Sequence, residues 1–155
     1  MAYTDIISLA DAKNYLRIDD GFTSDDSQIT GMINASLRYV EKFTNHILFQ
    51  RSKDYLLING CAKVYDFPIN SITSPSDTEQ TKSFTYSNFR ASQNEETLTL
   101  DIGYSTVDNI PDELIQYAYY KLKFYYFEAK DDDTGKGEIP EWAEDSIHQY
   151  KRFIF

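Results

Sequence analysis

Hydrophobic and polar positions follow two different periods along this chain, and the changes of period predict its elements. Apolar residues recur at helical spacing over residues 9–17 and 26–45, and again after Pro111 and Pro140. Between residues 48 and 104 they alternate, as in half-buried strands. We therefore predict the order α–α–β–β–β–α–α. This is an α+β fold with four helices and a small antiparallel sheet or hairpin region between helices 2 and 3.

Capping signals mark the ends of the first two helices. Ser8 and Asp11 have the spacing of a capping box, which predicts a helix from about Leu9 to Arg17. A second helix should begin within residues 23–26 and end at Asn45. Its helically spaced core positions are Ile29, Ile33, Ser36, Leu37, Val40 and Phe43.

The alternating region contains one strong turn signal. Asn59-Gly60 favours a type I′ turn, so residues 51–58 and 63–67 are predicted to pair as a hairpin. The rest of the region predicts an edge-like extended piece over 68–72, a long loop or irregular hairpin over 74–94, and a strand over 97–102.

The helix that Pro111 opens carries aromatic groups on nearly every side. Proline at the first helical position sacrifices no hydrogen bond, and Asp112 and Glu113 suit the positive end of the helix dipole. One-face spacing assigns Leu114, Ala118, Leu122, Tyr125 and Ala129 to the core. Tyr117, Tyr120 and Phe124, with Lys121 at the flank, should then point away from the core, which suggests a surface that is covered by a neighbour.

A last helix should run from Glu141 to about Phe153, after a loop over residues 131–138. Residues 128–145 carry eight acids against Lys130 and Lys136, while the end of the chain, residues 151–155, is basic and aromatic. The net charge of the whole chain is -10. A chain without a basic patch is not expected to bind nucleic acid tightly by itself.

Length and composition fit one domain over residues 1–155, with 151–155 as a candidate anchoring tail. Aromatic residues make up 15% of the chain, with 13 Tyr and 10 Phe, and Tyr suits surfaces that are buried on assembly. The single Cys61 excludes an intramolecular disulfide. We expect no signal peptide and no membrane span.

Catalytic and metal-binding motifs were tested and do not fit. In an EF-hand alignment that starts at Asp131, Lys136 takes the place of the invariant Gly and Trp142 that of the bidentate Glu. Residues 135–137 lack the Ser/Thr and the upstream Gly of a P-loop, and no Gly-x-Ser-x-Gly elbow occurs. We therefore expect no enzyme activity, no metal and no cofactor.

Four motifs in order resemble the head–tail connector (adaptor) proteins of long-tailed bacteriophages. Residues 9–19 match Leu-x-x-Ala-Lys-x-x-Leu-Arg-(Val/Ile)-Asp, and residues 39–45 match Tyr-Val-Glu-x-(Phe/Tyr)-Thr-(Gly/Asn). Gly103-Tyr104 precedes Ile110-Pro111 and the aromatic helix, as in that family, and the chain closes with Tyr150-Lys151-Arg152. The similarity covers almost the whole chain.

The resemblance implies a structural virion protein that forms a homo-oligomeric ring, typically a dodecamer. Such a ring would bind the portal at the capsid vertex and join it to the stopper or tail. It would extend the channel through which DNA passes without sequence-specific binding, and serve genome retention and ejection. The expected location is the head–tail junction of the virion, after assembly in the host cytoplasm.

Three sets of candidate contact residues follow from the resemblance. The tail is the candidate portal-binding set: Tyr150, Lys151, Arg152, Phe153, Ile154 and Phe155. The alternative is that Phe153 and Phe155 fold back onto the core. The candidate acidic lining of the DNA channel is Asp131, Asp132, Asp133 and Glu138, with a solvated outer loop as the alternative. The candidate inter-subunit set is Arg38, Lys42, Tyr117, Tyr120, Lys121 and Phe124. For Arg38 and Lys42 a solvated helix face is the favoured alternative.

Two other functions remain open at this stage. An acidic partner-binding protein, such as a DNA-mimic inhibitor, predicts a monomer or dimer with carboxylates spread over one face. A carbohydrate-binding module using exposed Tyr and Trp142 predicts a mostly β fold, which the four helices oppose.

Overall fold

Five helices and six strands make up the computed structural model, which describes residues 2–83, 85–92, 95–130 and 139–151. The helices are α1 (Tyr3–Ile6), α2 (Leu9–Leu16), α3 (Asp26–Thr44), α4 (Asp112–Ala129) and α5 (Glu141–His148). The strands are β1 (Arg51–Leu56), β2 (Cys61–Val64), β3 (Ile69–Ser74), β4 (Glu79–Lys82), β5 (Ser87–Arg90) and β6 (Thr97–Ile102). The predicted α+β fold is confirmed, and the four predicted helices correspond to α2–α5.

The helix ends follow the local signals. The Ser8 hydroxyl accepts a hydrogen bond from the Asp11 N–H at 3.1 Å and so caps α2. Asn45 ends α3 in the left-handed conformation, with φ 58°. Asparagine tolerates this conformation because its short polar side chain can bond locally. Pro111, which was predicted as the first helical residue, is the N-cap, so α4 begins one residue later, at Asp112.

The predicted hairpin around Asn59-Gly60 is closed at its tip, where Ile58 and Cys61 exchange backbone hydrogen bonds at 2.9 and 3.0 Å, but its two strands do not pair along their length. Asn59 and Gly60 do turn the chain, with φ 52° and 72°. The two strands nevertheless separate into different sheets: β1 pairs with β6, and β2 pairs with β5. The turn is a local property, whereas the pairing depends on which distant strand offers the more apolar surface to cover. Here β6 does, through Leu98, Leu100 and Ile102.

Two three-stranded antiparallel sheets result, with strand orders β1-β6-β3 and β2-β5-β4. The strand predicted over 97–102 is the centre of the first sheet, and the extended piece after Pro68 is its edge strand β3. Residues 74–94 contain the β4–β5 hairpin, which is one of the two alternatives predicted there.

The helical core forms where α3 and α4 pack together, with α1 and α2 against α3 and α5 against α4. A second cluster lies under the sheets around Phe89, Leu98 and Leu100. On α4 the buried residues are Leu114, Tyr117, Ala118, Leu122 and Tyr126. The predicted core face is therefore displaced: Tyr125 is only partly buried and Ala129 is exposed. Because apolar groups surround this helix, neighbouring elements rather than polarity choose its inner face.

Candidate interaction surfaces

Two of the predicted contact sets lie largely outside the described residues. The acidic set Asp131, Asp132, Asp133 and Glu138 does so entirely, as do Arg152, Phe153, Ile154 and Phe155 of the tail. Their proposed roles therefore remain predictions from the sequence.

The first two residues of the tail set pack on the helical layer. The Tyr150 hydroxyl donates to the Glu113 carboxylate at 3.0 Å, and its ring stands edge-on to the His46 ring, with centroids 5.6 Å apart. The Lys151 ammonium lies 4.7 Å from the centroid of the Phe43 ring, within cation–π range. Tyr150 and Lys151 therefore lie beside α3 and α4.

The outer side of α4 carries part of the predicted inter-subunit set. Tyr120 is partly buried and stands edge-on to Trp142 of α5, with ring centroids 5.8 Å apart. Trp142 is 54% exposed, which is unusual for so large an apolar side chain. Phe124 is also partly buried, and the Lys121 ammonium lies 5.7 Å from its ring. These side chains form an aromatic strip along α4 and α5, in which Trp142 is exposed and Tyr120 and Phe124 are partly buried.

Tyr117 does not belong to this strip, contrary to the prediction that it points away from the core. It is 4% exposed and its ring stacks on Tyr39 of α3 at 6.3 Å. Burial raises the pKa of its hydroxyl, with the nearby Tyr39 adding to the effect. The Lys121 ammonium lies over the Tyr39 ring, 4.2 Å from its centroid, and so makes a cation–π contact with one member of this stack. Tyr117 therefore joins α3 to α4 within one subunit.

Arg38 and Lys42 lie at a basic groove that involves residues from three elements. The groove has a volume of about 380 Å³ and is lined by Tyr3, Arg38, Glu41, Lys42, Phe49 and Arg51. Arg38 and Lys42 are both exposed, one turn apart on α3. In the described part of the chain, neither has a carboxylate within 4.0 Å.

The floor of the basic groove is held by Glu41, which is 8% exposed. Its carboxylate accepts hydrogen bonds from the Tyr3 hydroxyl at 2.7 Å and the Leu48 N–H at 2.8 Å, and pairs with Arg51 at 3.3 Å. Burial, and then the bond to Glu41, raise the pKa of Tyr3. The Glu41 carboxylate is thus engaged on both oxygens and ties Tyr3 and Arg51 to α3.

A surface that the sequence analysis missed lies on the second sheet. The outer face of β2, β5 and β4 forms a concave depression with a volume of about 480 Å³. It is lined by Cys61, Lys63, Glu79, Asn88 and Arg90 among others. Beside it Leu56 and Ile58 are 70% and 67% exposed. The signal was the run Leu56-Leu57-Ile58, because alternate residues of a strand cannot all face one core.

The Gly-Tyr motif is structural. Gly103 has φ +100°, and a Cβ there would overlap the carbonyl oxygen of Phe49. The Tyr104 hydroxyl and His46 Nδ1 are hydrogen-bonded at 2.8 Å within the protein interior. Burial, with the neighbouring Tyr150 second, raises the pKa of Tyr104 to about 12. Both residues hold β6 against the segment that follows α3.

The described residues contain no group of three His, Cys, Asp or Glu side chains placed to hold a metal ion. Among the same residues, no helix combines the length and the hydropathy that a membrane crossing requires.

Comparison with known families and structures gives one family and one fold. Residues 6–151 match the family described as phage gp6-like head-tail connector protein. No curated protein matches the chain.

Three solved structures share the fold. A chain in the neck of an empty GTA particle, computed with C6 symmetry, is 14% identical with a TM-score of 0.74, covering 100% of this chain and 94% of that one. A chain in the virion of a native gene transfer agent (GTA) particle is 13% identical with a TM-score of 0.72, covering 100% and 93%. A chain in the neck of a native GTA particle, computed with C12 symmetry, is 12% identical with a TM-score of 0.71, covering 99% and 92%.

Proposed function

Because this chain belongs to the phage gp6-like head-tail connector protein family, we propose that it forms a ring between the portal at the capsid vertex and the stopper or tail. The observation that carries the proposal is the family match over residues 6–151, which includes both the helical layer and the sheets. The role is structural rather than enzymatic.

A twelve-subunit ring is the form that we propose. It is supported by the shared fold with a GTA neck chain in a structure computed with C12 symmetry. The aromatic strip gives the chain a surface suited to a neighbour, since rigid aromatic side chains are enriched at protein interfaces. Tyr120, Phe124 and Trp142 would form part of the contact between adjacent subunits.

In this ring the chain would extend the DNA channel, retain the packaged genome and let it pass at ejection. Asp131, Asp132, Asp133 and Glu138 would line the channel and repel phosphates, so that DNA slides without sticking. The tail from Tyr150 to Phe155 would bind the portal. The protein would be a component of the virion neck, recruited from the host cytoplasm during assembly.

The proposal is tested by adding the purified chain to tail-less, DNA-filled capsids that carry the portal of the same phage. We expect negative-stain averages to show a twelve-fold collar beneath the portal vertex, and we expect DNA to leak more slowly from those capsids. Capsids of an unrelated phage serve as the control. A folded chain that leaves the portal vertex bare, and instead binds a nucleic-acid enzyme as a monomer or dimer, would favour the DNA-mimic alternative.

A further inference from the structure

We propose that the basic groove receives the acidic face of α5 from a second copy of this chain, and that this contact joins adjacent subunits. The inference rests on the proposed function, because it assumes a ring. It adds the pair of surfaces that would close that ring. The acidic face is defined as Glu141, Glu144 and Asp145.

The first argument is the unbalanced charge of the groove. Three cations line it, Arg38, Lys42 and Arg51, against the single carboxylate of Glu41. Glu41 is already bonded to Arg51, Tyr3 and the Leu48 N–H. The two exposed cations on α3 are thus left without a carboxylate in the described part of the chain, on a protein whose net charge is -10.

The second argument is that contacts within the chain hold the side chains of the groove in place. The Tyr3 and Phe49 rings meet edge to face at 5.1 Å, and the Arg51 guanidinium lies 4.8 Å from the Phe49 centroid. Arg38 lies 5.9 Å from the Tyr3 ring. A site whose side chains are already ordered loses less entropy when a partner docks.

The third argument is the complementary face on the same chain. Glu141, Glu144 and Asp145 are exposed at i, i+3 and i+4 of α5, so their side chains share one side of the helix. None has a basic partner within 4.0 Å among the described residues. Trp142, next to them, is exposed and could reach the aromatic floor of a neighbouring groove.

The location of the two surfaces favours a second copy as the occupant. The groove lies where α1 and β1 meet α3, whereas α5 packs on α4 and touches α3 at its last residue, where the His148 ring stands edge-on to the Phe43 ring. Two different, complementary patches on one chain make a heterologous contact, which is the kind that generates rings.

The test is a charge swap on portal-bearing capsids. The variant R38E/K42E reverses the groove, E141K/D145K reverses the face, and a third variant carries all four changes. All four positions are exposed, so each variant should retain the thermal unfolding midpoint of the wild type. The double reversal R17E/K82E, at exposed positions outside the groove, the acidic face and the other candidate surfaces, is the matched control.

We expect each double variant to lose collar formation by about tenfold, because like charges then face each other at every interface. The quadruple variant, and an equimolar mixture of the two double variants, should recover collar formation, because opposite charges then face each other again. The control should assemble like the wild type. Assembly of the wild type should also weaken as salt rises.

Each result decides between defined possibilities. If wild type forms collars and R38E/K42E does too, the groove inference is wrong and the proposed function stands. Both double variants could be folded and form no collars, with no recovery in the quadruple variant. In that case the groove binds another acidic partner and the inference is again wrong. If the control fails equally, net charge is responsible. If the wild type forms no ring on the portal, the proposed function fails and the inference with it.

Discussion

The ammonium of Lys13 lies 2.9 Å from the Asp26 carboxylate, and this ion pair joins the middle of α2 to the first residue of α3. Lys13 is 3% exposed and also donates to the carbonyl oxygens of Asp20 and Phe22, at 3.0 and 2.8 Å. One buried cation therefore fixes the entire connection between the two helices. The lysine of the connector motif has a structural role in this chain.

Replacing Lys13 with Met should destabilise the protein by about 2–3 kcal/mol, because Asp26 and two carbonyl groups lose their partner. Urea unfolding, followed by circular dichroism, measures this. Lys42→Met, at an exposed position on α3, is the control and should change stability by less than about 0.5 kcal/mol. Equal losses in the two variants would show that the Lys13 contacts contribute little.

Two glycines should respond in opposite ways to replacement by Ala. At Gly103 the positive φ and the overlap with Phe49 should cost at least about 3 kcal/mol. Gly31 lies within α3, where a Cβ would meet no atom within 4 Å, and Gly31→Ala should stabilise by about 0.5–1 kcal/mol. Thermal unfolding midpoints of the two variants, measured side by side, check both signs. A Gly103→Ala protein as stable as the wild type would contradict the close backbone approach.

Tyr104 should make the protein lose stability in alkali. Its pKa rises from 10.0 to about 12 on folding, so the neutral hydroxyl is favoured in the folded state. Between pH 10 and 12 the unfolded chain ionises first, and on the order of 2 kcal/mol of stability is lost across that window.

The variant Tyr104→Phe isolates this contribution. At pH 8 it should be about 1 kcal/mol less stable than wild type, because the hydrogen bond to His46 is gone. Towards pH 11.5 the difference should vanish or change sign, as the wild type alone pays for ionisation of this group. Free energies of unfolding at the two pH values decide. A gap that does not change with pH would exclude Tyr104 as the titrating group.

Neutralising the acidic segment tests the proposed channel lining. In the variant D131N/D132N/D133N, phosphates would meet fewer like charges, so DNA ejection should be several-fold slower while assembly is retained. Single-particle ejection assays measure the rate. The control D19N/D20N/D108N removes the same number of exposed acids elsewhere. Ejection at the wild-type rate in the first variant would place these residues outside the channel.

Removing residues 152–155 tests the proposed portal anchor. The truncated chain keeps Lys151 over Phe43, so its unfolding midpoint should be unchanged while binding to portal is lost. A full-length F153S/F155S variant should behave in the same way, which separates the loss of aromatic side chains from the loss of length and charge. Sedimentation of the variants with purified portal gives the readout. Portal binding at the wild-type level by both variants would eliminate the anchor.

The helices were predictable because their signals are local. Ser8 caps α2 and Asn45 ends α3, as expected from residues within a few positions of each end. The central strand β6 was equally clear from its alternation. These features depend on backbone hydrogen bonds and side chains that are close in sequence, so a single chain is enough to find them.

Strand pairing and the choice of buried surface could not be predicted in this way, because both depend on residues that are distant in sequence. The Asn59-Gly60 turn was correct, but β1 and β2 pair with β6 and β5 rather than with each other. The basic groove also had no signal, since Phe49 and Arg51 line one groove with Arg38 only in the folded chain.

The sequence alone therefore determined the class of fold, the helix ends and the order of motifs by which the family can be recognised. Only the tertiary structure decided that Tyr117 and Tyr126 are inside, and that Tyr125 is only partly buried. The physical reason is that α4 is apolar on nearly every side. On such a helix polarity selects no face, so the inner side is set by the residues against which the helix packs. Tyr117 stacks on Tyr39 of α3, and the Tyr126 hydroxyl donates a hydrogen bond to the Asp25 carboxylate at 3.1 Å.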